Sequence, residues 1–410
     1  MYFDSHPVIG LLSVLVMLLG SCLVLAAPLV NRMFARSHAL FAALFFLLTR
    51  VGFFVIIFIV IGYPAGPDKA AWKTHGTSAL EGLLPYVDYP SAYGPFFSYL
   101  LAPAFLFLHP YVAPVVVFIL FDFLTFVFLH RVGENPEFNR KVATLYLITP
   151  LSWFVVVRYG QDEAIGAFFV VLMLILAGQR RENVLPLLAG FAVAFTKVLF
   201  FLPALPILLN RTGRLRACLI AAGVAVGCYL PFEVLGGDVF QWRPRVGSFG
   251  GPSIWSVFWL IGMAHWWLAS IVFVALLASL VGLVVLRVQR MGVVNSVLLL
   301  YSGFMLTSPK AQFPYVLLVL PFLCIRVASS ERRAELVFLS IYSFLMVFCF
   351  YIVRSVRWQP FSLPWLLAIC TVLLITAYHS FLLVATLRSA LCRRQSWLLL
   401  HNQHRDRGSE

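Results

Sequence analysis

The chain has 410 residues, of which 62% are hydrophobic and only 11% are charged, whereas an average soluble domain is about 25% charged. This composition excludes a water-soluble globular protein, a disordered chain and a disulfide scaffold. The net charge of +14 is spread over short segments between apolar blocks, which favours the positive-inside pattern of membrane proteins over a nucleic-acid surface. We expect an all-α polytopic membrane protein, because hydrocarbon requires each segment to satisfy its own backbone hydrogen bonds.

Apolar segments recur along the whole chain, and a spanning helix needs about 20 apolar residues. They predict about 13 crossings, near residues 8–28, 40–62, 111–130, 142–157, 163–178, 184–197, 198–209, 215–232, 266–287, 293–307, 315–328, 335–353 and 363–387. Several are too short to span alone, so 142–178 and 184–209 are expected to form hairpins of short helices. The predicted transmembrane domain is 1–394.

Lys and Arg in alternate short loops predict the orientation. These basic loops contain Arg32 and Arg36, Arg131 and Arg140, Arg180 and Arg181, Arg287 and Arg290, and Arg332 and Arg333. We place them in the cytoplasm, inside an inner (plasma) membrane, together with a disordered tail at 395–410. The opposite, extracytoplasmic face carries the two longest loops, at about 63–95 and 233–254, and a short loop at Arg158–Glu163.

The predicted extracytoplasmic face also carries basic residues, against the usual charge rule. They are Lys69, Lys73, Arg158, Arg243, Arg245, Lys310, Arg354 and Arg357, with Lys197 near the same depth between two apolar half-helices. Arg and Lys bind phosphate well, so an anionic ligand explains their position. Contact with lipid headgroups is the alternative, and for Lys197 it is snorkelling to the interface.

The first long loop opens with Asp68, at the predicted membrane boundary. Trp72, Tyr86, Asp88 and Tyr89 follow among Gly and Pro residues that favour turns. A carboxylate that faces a basic chamber from this position suits general-base chemistry. The alternative is that Asp68 caps a helix end or is solvated.

A second acidic segment, Gln161-Asp162-Glu163, lies between two short predicted helices. Its side chains suit acceptor hydroxyls or a cation, and N-capping of the next helix is an equally good interpretation. Arg50 and Asp122, inside predicted crossings, are interpreted as a structural ion pair. The chain has no P-loop, dinucleotide fingerprint, zinc motif or G-x-S-x-G element, so we do not expect a nucleotide-sugar donor. We also expect no metal site and no cofactor.

Several of these motifs occur in an order that resembles a known family. Asp68, Trp72, Gly82, Pro85-Tyr86, Tyr89-Pro90 and Gly94-Pro95 resemble the start of the polyprenol-phosphate-dependent mannosyltransferases of the GT-C superfamily, in particular bacterial glycosyltransferase family 87. Further similarities are Gly160-Gln161-Asp162-Glu163, Phe195-Thr196-Lys197, and Ser308-Pro309 with Tyr315. The resemblance covers residues 60–330.

The resemblance implies a GT-C-like bundle and an inverting transferase. It would move a hexose from a polyprenyl-phosphate donor to an extracytoplasmic lipid or glycan acceptor, and mannose is the expected hexose. Asp68 would be the base, and the donor phosphate would meet Lys197, Arg243, Arg245, Lys310 and Arg158. The sugar or acceptor would meet Trp72, Tyr86, Asp88, Tyr89, Gln161, Asp162 and Glu163. The donor is a co-substrate, and the other expected partners are membrane lipids, not nucleic acid.

Two other functions also explain charges within the membrane. A transporter or flippase of a lipid-linked sugar needs them, but transporters typically carry internal repeats with interrupted helices in matching halves, and no convincing repeat is evident. A non-catalytic scaffold subunit would not need Asp68. Two features differ from many superfamily members: the additional crossing near 8–28, and the acidic residues that follow Gln161.

Overall fold

The computed structural model describes residues 7–36, 38–62, 69–179, 181, 183–211, 213–239, 251–330, 332–355 and 362–392. Within these ranges the chain forms helices and no β-strand. An isolated bridge pairs Pro85 with Tyr89. The predicted all-α class is therefore confirmed for the described part of the chain.

The first half of the chain is divided among short helices. They are α1 (Pro7–Leu25), α2 (Ala27–Arg36), α3 (His38–Phe46), α4 (Lys69–Leu80), α5 (Phe97–Phe105), α6 (Ala113–Leu129), α7 (Pro136–Ile148), α8 (Pro150–Trp153), α9 (Glu163–Gly178), α10 (Val184–Phe195) and α11 (Phe201–Leu209). Turns of π-helix extend α3 through Leu47–Gly52 and Val55–Val60, and α8 through Phe154–Arg158. A 3-10 turn at Val198–Phe200 precedes α11.

The second half contains four helices of more than 20 residues, α12, α14, α17 and α18, together with shorter ones. Its helices are α12 (Arg214–Val234), α13 (Ile254–Leu260), α14 (Trp266–Met291), α15 (Val293–Thr307), α16 (Leu320–Ser330), α17 (Arg333–Ser355) and α18 (Leu363–Cys392). A 3-10 segment, Phe313–Leu318, links α15 to α16. Helices α6 and α9, α10 and α12, α14 and α15, and α15 and α18 pack against one another.

By length and apolar composition, four helices of the described chain can cross a membrane. They are Ala39–Val60, Arg214–Val234, Trp266–Met291 and Leu363–Arg388. Two bent pairs raise the number to six if each pair is one span: Leu12–Leu25 with Ala27–Met33, bent by 78°, and Pro136–Ile148 with Pro150–Arg158, bent by 51°. These long apolar helices indicate a membrane-embedded protein.

The prediction of about 13 crossings is not confirmed. Six further apolar helices in the described ranges have only 10–17 residues: Ala113–Leu129, Glu163–Gly178, Val184–Phe195, Val198–Leu209, Val293–Thr307 and Leu320–Ser330. Hydropathy reports apolar composition, and a short apolar helix packed against protein has the same composition as part of a span. The expected division of 142–178 and 184–209 into short helices is confirmed.

Two predicted loops differ from the structure in part. The loop expected at 63–95 contains the helix α4, whose buried face carries Trp72 and His75. The loop expected at 233–254 continues from the end of α12, but its residues 240–250 lie outside the described chain, as does the predicted tail at 395–410.

A fully buried ion pair holds the first helices together. Arg50 Nε lies 2.9 Å from Asp122 Oδ2, and both side chains are fully buried. The hydroxyl of Tyr146 donates to Asp122 Oδ1 at 2.6 Å, and Arg50 also donates to Ser152 Oγ at 2.6 Å and to the Leu147 carbonyl at 2.8 Å. The guanidinium is thus paired on every side, which confirms the predicted structural ion pair.

Candidate functional site

The first interruption of the helices carries Gln161, Asp162 and Glu163. The π-helical turns end at Arg158, Gly160 turns the chain with a φ of +56°, and α9 begins at Glu163. Residues 158–163 are all buried. The predicted short loop between two helices is therefore a buried break, around which neighbouring helices pack. Gln161 donates its backbone N–H to the Val155 carbonyl at 3.1 Å.

The second interruption carries Lys197. Helix α10 ends at Phe195, Thr196 has φ −128° and ψ −115°, and Lys197 is extended before the chain turns into α11. The Thr196 hydroxyl donates to the Ala192 carbonyl at 2.6 Å, which satisfies part of the helix end. Lys197 therefore projects from a gap between two short helices, as its position in the sequence predicted.

The two interruptions meet in a charged cluster. Lys197 Nζ lies 2.8 Å from Asp162 Oδ1 and 3.0 Å from Glu163 Oε1. Both carboxylate side chains are 2% exposed and the lysine side chain 23%. The N-terminus of α9 favours negative charge at this point. Asp162 occupies the N-cap position but makes no capping hydrogen bond with its side chain, so pairing with Lys197 replaces the capping interpretation.

Aromatic rings and a small cleft adjoin the Asp162–Lys197–Glu163 cluster. The ammonium lies 4.9 Å from the ring centre of Tyr93 and 5.9 Å from that of Tyr315, distances at which cation–π attraction operates. The cleft is narrow, with room for about one water-sized group, and opens to its surroundings. It is lined by Asp162, Glu163, Gly166, Thr196, Lys197, Leu199, Phe200 and Leu318.

Trp72 connects this cluster to the helix α4. Its side chain is 1% exposed, and the indole Nε1 donates to the Tyr93 hydroxyl at 3.1 Å. Its ring makes an edge contact with Phe118 of α6, at 5.4 Å between ring centres. Helix α4 begins at Lys69, one residue after Asp68. Asp68 itself lies outside the described residues, so its predicted role as a base remains a prediction.

A second buried network supports the same loop and was missed from the sequence. His75 Nδ1 and the Tyr89 hydroxyl lie 2.8 Å and 2.7 Å from Ser98 Oγ. Burial raises the pKa of Tyr89 to about 12, so its hydroxyl stays protonated and donates to Ser98. The spacing of Trp72 and His75, three residues apart, is the signal that would have placed both on one helix face.

Tyr86 and Asp88 shape the turn between α4 and α5. Tyr86 has a φ of +69°, its hydroxyl donates to the Tyr93 carbonyl, and its ring packs against Tyr229 and Phe232 of α12. Burial, followed by the charge of Tyr229, raises the pKa of Tyr86. Asp88 is exposed, and its Oδ2 accepts the Leu84 N–H at 2.6 Å. Both residues therefore have structural contacts within the loop.

Backbone hydrogen bonds attach this loop to the chain beside Lys197. The Gly94 N–H donates to the Thr196 carbonyl at 2.7 Å, and the Phe96 N–H donates to the Ala194 carbonyl at 2.9 Å. A Cβ atom on Gly94 would lie 2.2 Å from the Ala194 oxygen, so only glycine permits this approach. The loop and the lysine segment thus form one structural unit.

The remaining basic candidates are less completely placed. Arg158 is 1% exposed, so its guanidinium lies inside the protein and not on an open face. Lys310 is half-buried and precedes Ala311, against whose carbonyl Gly251 packs. Gly251 follows the segment 240–250, which includes Arg243 and Arg245 and lies outside the described residues.

Among the residues whose positions are described, no group of three or more His, Cys, Asp and Glu side chains could hold a metal ion. The arrangement instead offers a buried carboxylate pair, one ammonium and flanking tyrosine rings. No protein-family model, no curated protein and no solved structure matches this chain.

Proposed function

We propose that the protein is an integral-membrane inverting glycosyltransferase with a GT-C-like architecture. It moves a hexose from a polyprenyl-phosphate donor to a lipid or glycan acceptor on the extracytoplasmic side of an inner (plasma) membrane. The proposed hexose is mannose. The observation that carries the proposal is the contact between the Asp162–Lys197–Glu163 cluster and Tyr93, which Trp72 links to the helix that follows Asp68.

The proposed reaction needs a base and a stabilised leaving group. The oxygen of the acceptor hydroxyl bonds to the anomeric carbon of the sugar while the bond from that carbon to the phosphate oxygen breaks. Asp68 takes the hydroxyl proton, and the electron pair of the broken bond leaves with the polyprenyl phosphate. Attack opposite the leaving group inverts the anomeric configuration. A positioned general base contributes roughly 10²–10⁴-fold to such a rate.

Charge develops on the phosphate as it leaves, and basic side chains are suited to stabilise it. Arg243, Arg245 and Lys310 carry this role in the proposal. Removal of one preorganised donor at a developing anion costs about 2.7–4 kcal/mol of barrier in enzymes where this has been measured. Lys310 is half-buried and precedes Ala311, whose carbonyl lies against Gly251.

The burial of the cluster is an argument for function over simple stability. Desolvating a charged group costs several kcal/mol, and an apolar replacement of a buried ion pair is often neutral or stabilising. Ionisable residues among apolar helices are therefore functional candidates by default. The Arg50–Asp122 pair differs from the Asp162–Lys197–Glu163 cluster, because the protein itself supplies a partner for every polar atom of that pair.

Transport of a lipid-linked sugar is the second candidate, and one observation favours it. Two interrupted helical segments face each other and carry charges at their breaks, as in many transporters. The breaks at 158–163 and 196–200 nevertheless lie close together in the chain. They do not take matching places in two halves, as an internal repeat requires, so the transferase remains the better-supported function.

Transfer of labelled sugar tests the proposal directly. The purified protein in lipid nanodiscs is given polyprenyl-phosphate [14C]mannose and a total lipid extract of the source cells as acceptor. Wild-type protein is expected to form labelled glycolipid, and Asp68→Asn to lose at least about 100-fold in rate. Glu137→Gln, which changes an exposed carboxylate paired with Lys141, is the matched control.

Two results would contradict the proposal. Transfer by Asp68→Asn at the wild-type rate would show that Asp68 is not the base. An absence of any product from the wild-type protein would show that the protein does not transfer this sugar. In proteoliposomes, movement of the labelled lipid across the bilayer without product supports the transporter instead.

A further inference from the structure

We infer that the cleft beside Asp162, Glu163 and Lys197 binds one hydroxyl group of the transferred sugar and not the phosphate of the donor. The inference rests on the proposed function and makes it more specific. It also changes the role predicted for Lys197, which the resemblance assigns to the phosphate.

The charge of the cluster disfavours a phosphate. Two carboxylates lie within 3.0 Å of one ammonium, which leaves a net charge of −1 when all three groups are ionised. Both carboxylate side chains are 2% exposed, so salt and water screen them poorly. An anion that approaches Lys197 is repelled by both carboxylates, whereas a neutral sugar meets no such repulsion.

The hydrogen-bonding capacity of Glu163 points to a ligand that donates. Glu163 Oε1 pairs with Lys197, while Oε2 is buried and has no hydrogen-bond partner among the described residues. Buried polar atoms are normally paired, and an ionised carboxylate only accepts hydrogen bonds. The phosphodiester of a polyprenyl-phosphate sugar has acceptor oxygens and no donor. A sugar hydroxyl supplies the donor that Oε2 lacks.

The cleft is narrow, with room beside the charged cluster for about one water-sized group. A hydroxyl group has that size. Apolar walls from Leu199, Phe200 and Leu318 surround the charged end. The cleft therefore admits a single hydroxyl group of a hexose, while the rest of the sugar, the phosphate and the lipid stay outside it.

Binding of two lipids that differ only in the sugar tests the inference. The affinities of polyprenyl-phosphate mannose and of polyprenyl phosphate are measured for wild-type protein, Glu163→Gln and the control Glu137→Gln in nanodiscs. We expect Glu163→Gln to weaken binding of the sugar-bearing lipid about tenfold, the effect of one hydrogen bond to a charged acceptor. Binding of polyprenyl phosphate should stay unchanged, and this also shows that the variant is folded.

The outcomes that overturn the inference differ from those that overturn the proposed function. If the cluster binds phosphate, Glu163→Gln removes a negative charge beside Lys197 and tightens binding of both lipids. Tighter or equally altered binding of the two lipids therefore overturns the inference and leaves the transferase standing. Failure of the wild-type protein to bind either lipid overturns the proposed function and the inference together. If Glu163→Gln does not fold, Glu163→Asp, which keeps the charge but withdraws the carboxylate, provides the same comparison.

Discussion

Trp72 donates a hydrogen bond of 3.1 Å to the hydroxyl of Tyr93, and both side chains are buried. This hydrogen bond joins α4 to the loop that packs beside Lys197. It matters because the same Tyr93 ring lies 4.9 Å from the lysine ammonium. Tyr93 therefore contacts both α4 and the charged cluster, in addition to the backbone hydrogen bonds that attach its loop to the lysine segment.

Tyr93→Phe tests this connection. The variant keeps the ring beside Lys197 but leaves the buried Trp72 N–H without an acceptor, which should cost about 1–3 kcal/mol of unfolding free energy. We expect a lower midpoint of thermal unfolding in detergent and slower sugar transfer. Tyr99→Phe, at a tyrosine that is 38% exposed, is the control and should change neither. Equal midpoints for both variants would show that the hydrogen bond contributes little.

Lys197→Met should destabilise the protein strongly. Removal of the ammonium leaves Asp162 and Glu163 facing each other as buried charges, and breaking a buried ion pair in this way costs about 3–5 kcal/mol. The triple variant Lys197→Met, Asp162→Asn, Glu163→Gln removes the uncompensated charge and should recover most of the loss. Denaturant unfolding of both variants measures the difference. A stable single variant would mean that water reaches the carboxylates.

The Arg50–Asp122 pair should behave as a structural unit without a part in transfer. Arg50→Met leaves Asp122 buried and unpaired, at a cost of about 3–5 kcal/mol, while Arg50→Met with Asp122→Leu is expected to regain stability. Residual transfer activity, normalised to folded protein, should remain close to that of the wild type in the double variant. Loss of transfer activity in a well-folded double variant would instead show that this pair has a functional role.

Gly94→Ala tests the attachment of the loop to the lysine segment. The added methyl group would lie 2.2 Å from the Ala194 carbonyl oxygen, so the loop must move away from Thr196 and lose its backbone hydrogen bond. We expect sugar transfer to fall at least about tenfold and amide exchange at Gly94 or its neighbours to accelerate. Gly223→Ala is the matched control, because its new methyl group meets nothing within 4 Å.

Particular residues show how far the sequence could be interpreted. The low charge content predicted the all-α class, and the positions of Arg50 and Asp122 inside apolar segments predicted their pairing. The number of crossings was not predictable, because α9 and α10 have the composition of membrane spans but only 16 and 12 residues. The buried state of residues 158–163 was also missed, since a polar turn between two helices resembles an exposed loop.

The composition alone predicts a helical, apolar chain with a few charged residues inside its apolar segments. Which of those charges meet depends on how the helices pack. Asp162 and Lys197 are 35 residues apart in the chain, and no periodicity relates them. They become ion-pair partners because the N-terminus of α9 packs against the break that follows α10. A buried ammonium is stable only with such carboxylates beside it.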